Sequence, residues 1–456
     1  MSYPSTTDAD ADVAAFISRV RRERDVPGLA VGWSHHSEAR IHTEGVASLL
    51  TNNRVTPSTL FQIGSIGKTL TATVVMHLVE EGLLDLDGAV VNYIPELQLA
   101  DQAVQAALTP RHLLTHVGGW AGDLYKQTGS GEDALTKILN ELKTLPQQSP
   151  LGSVWSYNNA GFYILGALIE RLLETSYERA IYEIICRPLG IECYFFADEV
   201  ITKNFAVGHA HSRTGIQITT PWSMPRSSNP LGGMLMNIDG LLEYGMFHLS
   251  DLQRQGQPIT PESRRRMREP QIEAGNGFTA QGLGWQLKVI DGVTVATHAG
   301  SANGMPSLLS IVPEYGYAIA ALANADTGAG AEREIVKHAL AVHCGLVEPT
   351  LVPDEKFLVR PEEWIGRYSN LESHFDLKAV DGMPSLIQRT HHEWLDDMDP
   401  PSEDGDPVAF GFYGPDKLVG LEGGYAGRTA EFLRDSEGII QWFRIQSRAA
   451  ARSQQI

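Results

Sequence analysis

Apolar and polar residues follow several rhythms along this chain, and each predicts a different kind of element. Over residues 12–24 the apolar positions Val13, Phe16, Ile17 and Val20 recur every three or four residues, the period of an amphipathic helix. Residues 28–33 and 39–45 are short strand-like runs joined around His35-His36-Ser37, which predicts a hairpin. From Thr69 to Val79 nearly every side is apolar or small, so this helix belongs in a domain interior. A helical, loop-rich middle follows. Thr109-Pro110 opens a short helix carrying His112 and His116, residues 158–174 form a longer one with Phe162, Leu165 and Ile169 on its apolar side, and 239–249 another. Strand rhythm returns at 284–290, 294–297, 308–312 and 318–323, with Asn276-Gly277 and Asp291-Gly292 as turns, before a helix over 332–343. The simplest assembly joins the late strands to the early hairpin in one antiparallel sheet, with the helical middle packed on it.

Beyond this the pattern changes. Residues 349–361 are rich in proline and acidic side chains and read as a linker. After it come short strands, many glycines and repeated aromatics such as Phe410, Phe412, Phe432 and Trp442-Phe443. The expected organisation is a catalytic-type α/β domain over 1–348 and a small β-barrel-like, lipocalin-like domain over 362–456, with the acidic run 396–406 as an exposed loop.

Composition narrows the function. A formal charge of −19 argues against nucleic acid and anionic membranes as partners. No run approaches bilayer-spanning length, and the N-terminus has neither a basic start nor an apolar core; three cysteines without metal-ligand spacing fit reduced thiols. A cytoplasmic location is expected, with no cofactor or metal. His112 and His116 have zincin spacing, but Leu113 stands where a metalloprotease needs glutamate, so structural roles are expected. His209 and His211 read as surface residues. Gly67-Lys68-Thr69 resembles the tail of a phosphate loop, yet Gln62 occupies the position of its first glycine.

Three clusters carry candidate chemistry. Ser65 and Lys68 lie three apart where the buried helix begins, close enough to share a face; serine as a helix cap is the plainer alternative. Tyr157 and Asn159 sit two apart just before a helix. His298-Ala-Gly300-Ser301 ends a strand, where Gly300 admits close approach and the next N–H can donate.

In order and approximate spacing, Ser65-x-x-Lys68, Tyr157-x-Asn159 and His298-x-Gly300 resemble the motifs of the serine β-lactamase-like hydrolases, the group of class C β-lactamases, penicillin-binding DD-peptidases, D-aminopeptidases and related esterases. Leu108-Thr-Pro-Arg-His-Leu-Leu-Thr-His-Val-Gly-Gly119, Pro188-Leu-Gly190 and Pro230-Leu-Gly-Gly-Met234 extend the resemblance over roughly residues 10 to 345. It implies Ser65 as nucleophile, Lys68 and Tyr157 as the proton-handling pair, Asn159, His298 and Gly300 as substrate binders, and the backbone N–H groups of Ser65 and Ser301 as an oxyanion hole. The β-lactam-specialised members carry lysine where this chain has His298, a histidine expected to be only partly charged at neutral pH, so antibiotic hydrolysis is disfavoured. The last segment resembles barrels appended to D-aminopeptidase and archaeal peptidase relatives, which implies restricted access to the cleft or help in forming a homo-oligomer. The expected activity is an acyl-enzyme hydrolase for a small-molecule or short-peptide substrate, with peptide-like amides slightly ahead of esters. Ester cleavage, acyl transfer and a non-catalytic binding or sensor role are the alternatives.

Overall fold

The computed structural model describes residues 6–35, 38–212, 215–252, 256–328, 330–390 and 406–454. His36-Ser37 of the predicted hairpin and nearly all of the acidic run lie outside them. In chain order the first domain contains β1 (Gly28–His35), β2 (Glu38–Gly45), β3 (Phe61–Gln62), β4 (Cys193–Tyr194), β5 (His209–Ser212), β6 (Gly215–Ile218), β7 (Leu235–Met236), β8 (Ile272–Gly275), β9 (Phe278–Gln281), β10 (Gln286–Ile290), β11 (Val293–Ala302), β12 (Met305–Val312) and β13 (Tyr317–Ala323). Eight of these form one antiparallel sheet in the order β2-β1-β13-β12-β11-β10-β9-β8, so strands from both ends of the domain meet where β1 pairs with β13. The β8–β9 hairpin extends the sheet beyond the four late strands expected. Its turn, Asn276-Gly277, has φ of 52° and 86°, the primed conformation that suits a two-residue hairpin.

Alternation along β1 divides the two faces. Leu29 and Val31 join Val13, Ile17 and Val20 of the Thr6–Glu23 helix and Ile335 and Leu340 of the Ala331–Cys344 helix. Ala30 faces the opposite way, into the larger core built from the helical middle: Leu70 and Val74, Phe162 and Leu165, Leu241 and Leu242. A central strand has both faces covered, which is why β12 and β13 are buried at every position and apolar at all but Ser307 and Ser310.

The Gly67–Glu80 helix runs through that larger core, and its threonines hydrogen-bond inward: Thr71 to Pro230 O at 2.6 Å, Thr73 to Tyr244 at 2.9 Å. Two sequence expectations fail nearby. His116 lies past the short Pro110–Leu114 helix in left-handed backbone (φ 57°), and His209 is fully buried, accepting from Leu49 N at 3.2 Å, because β5 packs beside Asn324.

The second architecture is a closed barrel of β14 (Gly366–Ser369), β15 (Ser373–Val380), β16 (Met383–Thr390), β17 (Val408–Gly414), β18 (Lys417–Gly420), β19 (Thr429–Arg434), β20 (Ile440–Ile445) and β21 (Arg448–Gln454). Trp364, Tyr368, Phe375, Phe412, Phe432 and Phe443 fill its interior with side chains. The β20–β21 turn, Gln446-Ser447, points at the first domain.

Candidate active site

Ser65 lies on a single 3-10 turn, Gly64–Ile66, that leads directly into the Gly67–Glu80 helix. No side chain caps that helix, so the capping alternative fails and the hydroxyl is available. From Phe61 to Met76, Ser65 alone is not fully buried. The turn is reached by close backbone approach. Gly64 has φ of 52°, and a Cβ there would stand 2.5 Å from Ser301 N. At Gly300 a Cβ would meet Ile63 O at 2.0 Å, while Ser307 Oγ donates to the same carbonyl at 2.7 Å. The His298-x-Gly300 segment therefore lies within β11 rather than at its end, and its backbone abuts the Ser65 turn.

Lys68 is fully buried, with Nζ 3.0 Å from Ser65 Oγ and 2.7 Å from Leu231 O. Both acceptors are neutral. Burial, reinforced by the Arg448 charge and only partly opposed by Asp123, holds the ammonium well below the usual lysine range. The Tyr157 ring stands 5.1 Å from Lys68 Nζ. Burial pushes its phenol upward, only partly opposed by the Ser65 hydroxyl and the Arg448 charge. Both directions favour the uncharged forms, amine beside phenol.

Two neutral imidazoles flank Tyr157. His298, 6.0 Å away between ring centroids, pairs Nδ1 with Ala299 O at 2.7 Å, which fixes the proton on Nδ1 and leaves Nε2 as a bare, buried acceptor. Burial, the largest influence on it, holds it at about 3, so the partly charged histidine expected from sequence is uncharged near neutrality. His116, 4.5 Å from Tyr157, accepts Asn158 N–H on Nδ1 at 3.0 Å and so carries its proton on Nε2. His112 instead closes the cap of its own helix with Thr109.

Asn159 is committed within the protein: Nδ2 donates to Asp123 Oδ1 and to Tyr125 Oη, each at 2.6 Å, leaving Oδ1 buried and unpartnered. Asp123 in turn binds Arg448, whose Nε and Nη2 lie 2.5 and 2.9 Å from its two oxygens and whose guanidinium covers the Tyr157 ring at 5.1 Å. The narrow gap beside Tyr157 is lined by Asp123, Gln148 and Ser156 from the first domain and by Leu371, Arg448 and Ala449 from the barrel. One wall thus comes from the far end of the chain. Sequence reasoning missed His116 and Arg448; the second carries no local signal, being an arginine after a barrel turn.

Comparison with known proteins identifies the family and the fold. The beta-lactamase family model matches residues 13–343. This chain belongs to the beta-lactamase family. The family's fold is that of serine hydrolases, and the chain is one of them by family. It is 30% identical over 339 residues to penicillin-binding protein 4 of Amycolatopsis lactamdurans, covering 72% of this chain and 89% of that one. Among solved structures it is similar to SurE, with a TM-score of 0.80 and 24% identity over 99% of this chain and 100% of that one; SurE has also been solved with D-Leu. It is likewise similar to the octameric penicillin-binding protein homologue from Pyrococcus abyssi, with a TM-score of 0.67 and 23% identity over 97% and 99% of the two chains. Both likenesses span the barrel as well as the sheet. No helix among the described residues is long and apolar enough to cross a membrane.

Proposed function

We propose that the protein cleaves a peptide-like amide through an acyl-enzyme on Ser65. The observation that carries this reading is the contact of 3.0 Å between Ser65 Oγ and a buried Lys68 whose hydrogen-bond partners are both neutral. An ordinary lysine is protonated at neutral pH and cannot accept the serine proton; one desolvated this far holds a lone pair ready for it. Lys68 takes the proton as Oγ attacks the carbonyl carbon. The oxyanion develops toward the N–H groups of Ser65 and Ser301, each such donor being worth about 3–4 kcal/mol in comparable sites. Tyr157, kept protonated by burial, passes a proton to the departing amine, and water releases the acyl group by the reverse route. Asn159 Oδ1 is the free acceptor for a substrate amide N–H, and His298 and Gly300 are the further substrate-binding positions. The D-Leu complex of SurE supports including D-configured residues among the substrates.

The test is labelling with a fluorophosphonate and hydrolysis of p-nitrophenyl acetate, wild type against Ser65→Ala, followed by a panel of D- and L-aminoacyl amides and short peptides. Labelling and turnover are expected in the wild type and lost in the variant. Equal turnover in both would discard Ser65 as nucleophile, and turnover of esters without any amide would move the assignment to an esterase.

A further inference from the structure

Glu431 of β19 and Arg444 of β20 are directly opposed across the barrel ladder. Their sequence neighbours Ala430, Phe432, Phe443 and Ile445 point into the barrel core, so by the two-residue alternation of strands this pair points outward. Outward-facing charges are normally wet. These are 9% and 5% exposed, because the first domain covers them. Glu431 Oε1 accepts from Arg444 Nε and from Asn276 N–H, both at 2.9 Å. Arg444 Nη1 donates to the Trp155 carbonyl at 2.8 Å, and its guanidinium lies 5.4 Å from the Trp155 ring. The seat is shaped for the pair: a Cβ on Gly275 would stand 1.9 Å from Glu431 Oε1 and 2.4 Å from Arg444 Nη2.

The next two residues of the same segment are also held from the barrel. Ala449 N–H donates to Ser156 Oγ at 3.0 Å, and Tyr157 N–H donates to Ser447 O at 2.8 Å. Ser447 is anchored in turn by Asn276 Nδ2, 3.2 Å from its Oγ. Three consecutive residues, 155 to 157, thus take hydrogen bonds from one barrel hairpin, and the last is the phenol facing Ser65. A buried ion pair is a poor way to gain stability, since desolvation offsets most of the attraction, but it fixes geometry well.

We propose that Glu431 and Arg444 are positioning residues that act through the backbone of residues 155–157 to hold Tyr157 against the Ser65–Lys68 face, which makes the barrel part of the catalytic apparatus. This rests on the acyl-enzyme reading above. Arg444→Met combined with Glu431→Gln removes both charges without stranding either, and Arg444→Lys is the conservative partner. Each would be compared with wild type and Ser65→Ala for melting behaviour, for kcat and KM on p-nitrophenyl acetate, and for the pH dependence of fluorophosphonate labelling. In the double variant kcat is expected to fall by about 100-fold, the scale of a small misplacement of a reacting group, with KM nearly unchanged. The pH of half-maximal labelling should move upward, because a loosened wall admits water to Lys68 and weakens the desolvation that depresses it. Arg444→Lys should recover part of the rate; if the double variant does not fold, Arg444→Lys alone is read, with a smaller fall in kcat and the same upward move. A folded variant with the wild-type kcat and pH profile would overturn the inference while Ser65→Ala still abolished labelling. A rise in KM alone would overturn it too, leaving the pair a docking contact. Wild-type turnover that survives Ser65→Ala would remove the acyl-enzyme reading itself, and this inference with it.

Discussion

Lys68 and Arg448 form the central electrostatic relation of the site. Arg448 adds to the desolvation that depresses Lys68, whereas Asp123, bound to Arg448, acts the other way. Arg448→Met removes the cation and leaves the carboxylate, so both changes favour the charged ammonium and Lys68 rises. The fraction of neutral amine at pH 7 then drops. Fluorophosphonate labelling should slow several-fold at pH 7 and recover as pH increases; the probe carries no carboxylate, so loss of a substrate contact cannot mimic the effect. Labelling with an unchanged pH profile would show that Arg448 does not tune the lysine. Some of this relation was legible in the sequence. Helical spacing alone puts Ser65 and Lys68 on one face, and the apolar residues around them announce burial. The neutrality of His298 was not, because its chief cause is complete burial in the folded protein, which outweighs the opposing pull of the Ala299 carbonyl.

At the level of elements, the site depends on how closely β11 approaches the Ser65 turn. Gly300→Ala would force a methyl group to within 2.0 Å of Ile63 O and 2.4 Å of Ser307 Oγ; the hydroxyl can rotate away, but the Ile63 carbonyl cannot retreat without moving β11 or the turn. Overpacking of this kind costs about 1–3 kcal/mol, and here the displaced atom is the Ser301 N–H. The variant should melt lower and lose nearly all labelling. A variant that melts lower yet labels normally would show that Ser301 does not serve the oxyanion. The long elements were readable because their period is sustained: Ile238–Leu249 differs from expectation by one residue at its start, and Ala331–Cys344 by one at each end. The Ile272–Gly275 and Phe278–Gln281 strands were not, being four residues each with Glu273 and Thr279 exposed among few apolar neighbours. The barrel hairpin was hidden for another reason. Gln446 and Ser447 have φ of 52° and 66°, a primed turn built without the Asn-Gly or Asp-Gly that announces one in sequence.

For the molecule as a whole, the same burial that silences the histidines should make the protein acid-labile. His116, His248 and His298 are buried and held below the ordinary histidine value, chiefly by desolvation. In the unfolded chain each titrates near ~6.5. As pH falls below that value the unfolded state binds protons that the folded state refuses, so stability drops; for His298 the loss continues to its folded value of about 3. Glu372 acts in the opposite direction. Burial beside Asp123 raises it to about 7, so the folded state holds its proton between there and the ordinary glutamate value, and stability falls as pH rises through that window. The buried histidines outnumber this opposing glutamate, so their contribution lowers stability as the pH falls below about 6. Urea unfolding at pH 7.0, 6.0 and 5.0 should show a midpoint that declines steeply over the last interval. His248 lies outside the candidate site, between Thr73, Tyr244 and Trp285, so His248→Leu should make the midpoint fall less steeply with acid without touching the serine chemistry. A midpoint that stays flat from pH 7 to 5 would mean the imidazoles reach solvent in the folded state, and the neutral pair flanking Tyr157 would have to be redrawn as cations.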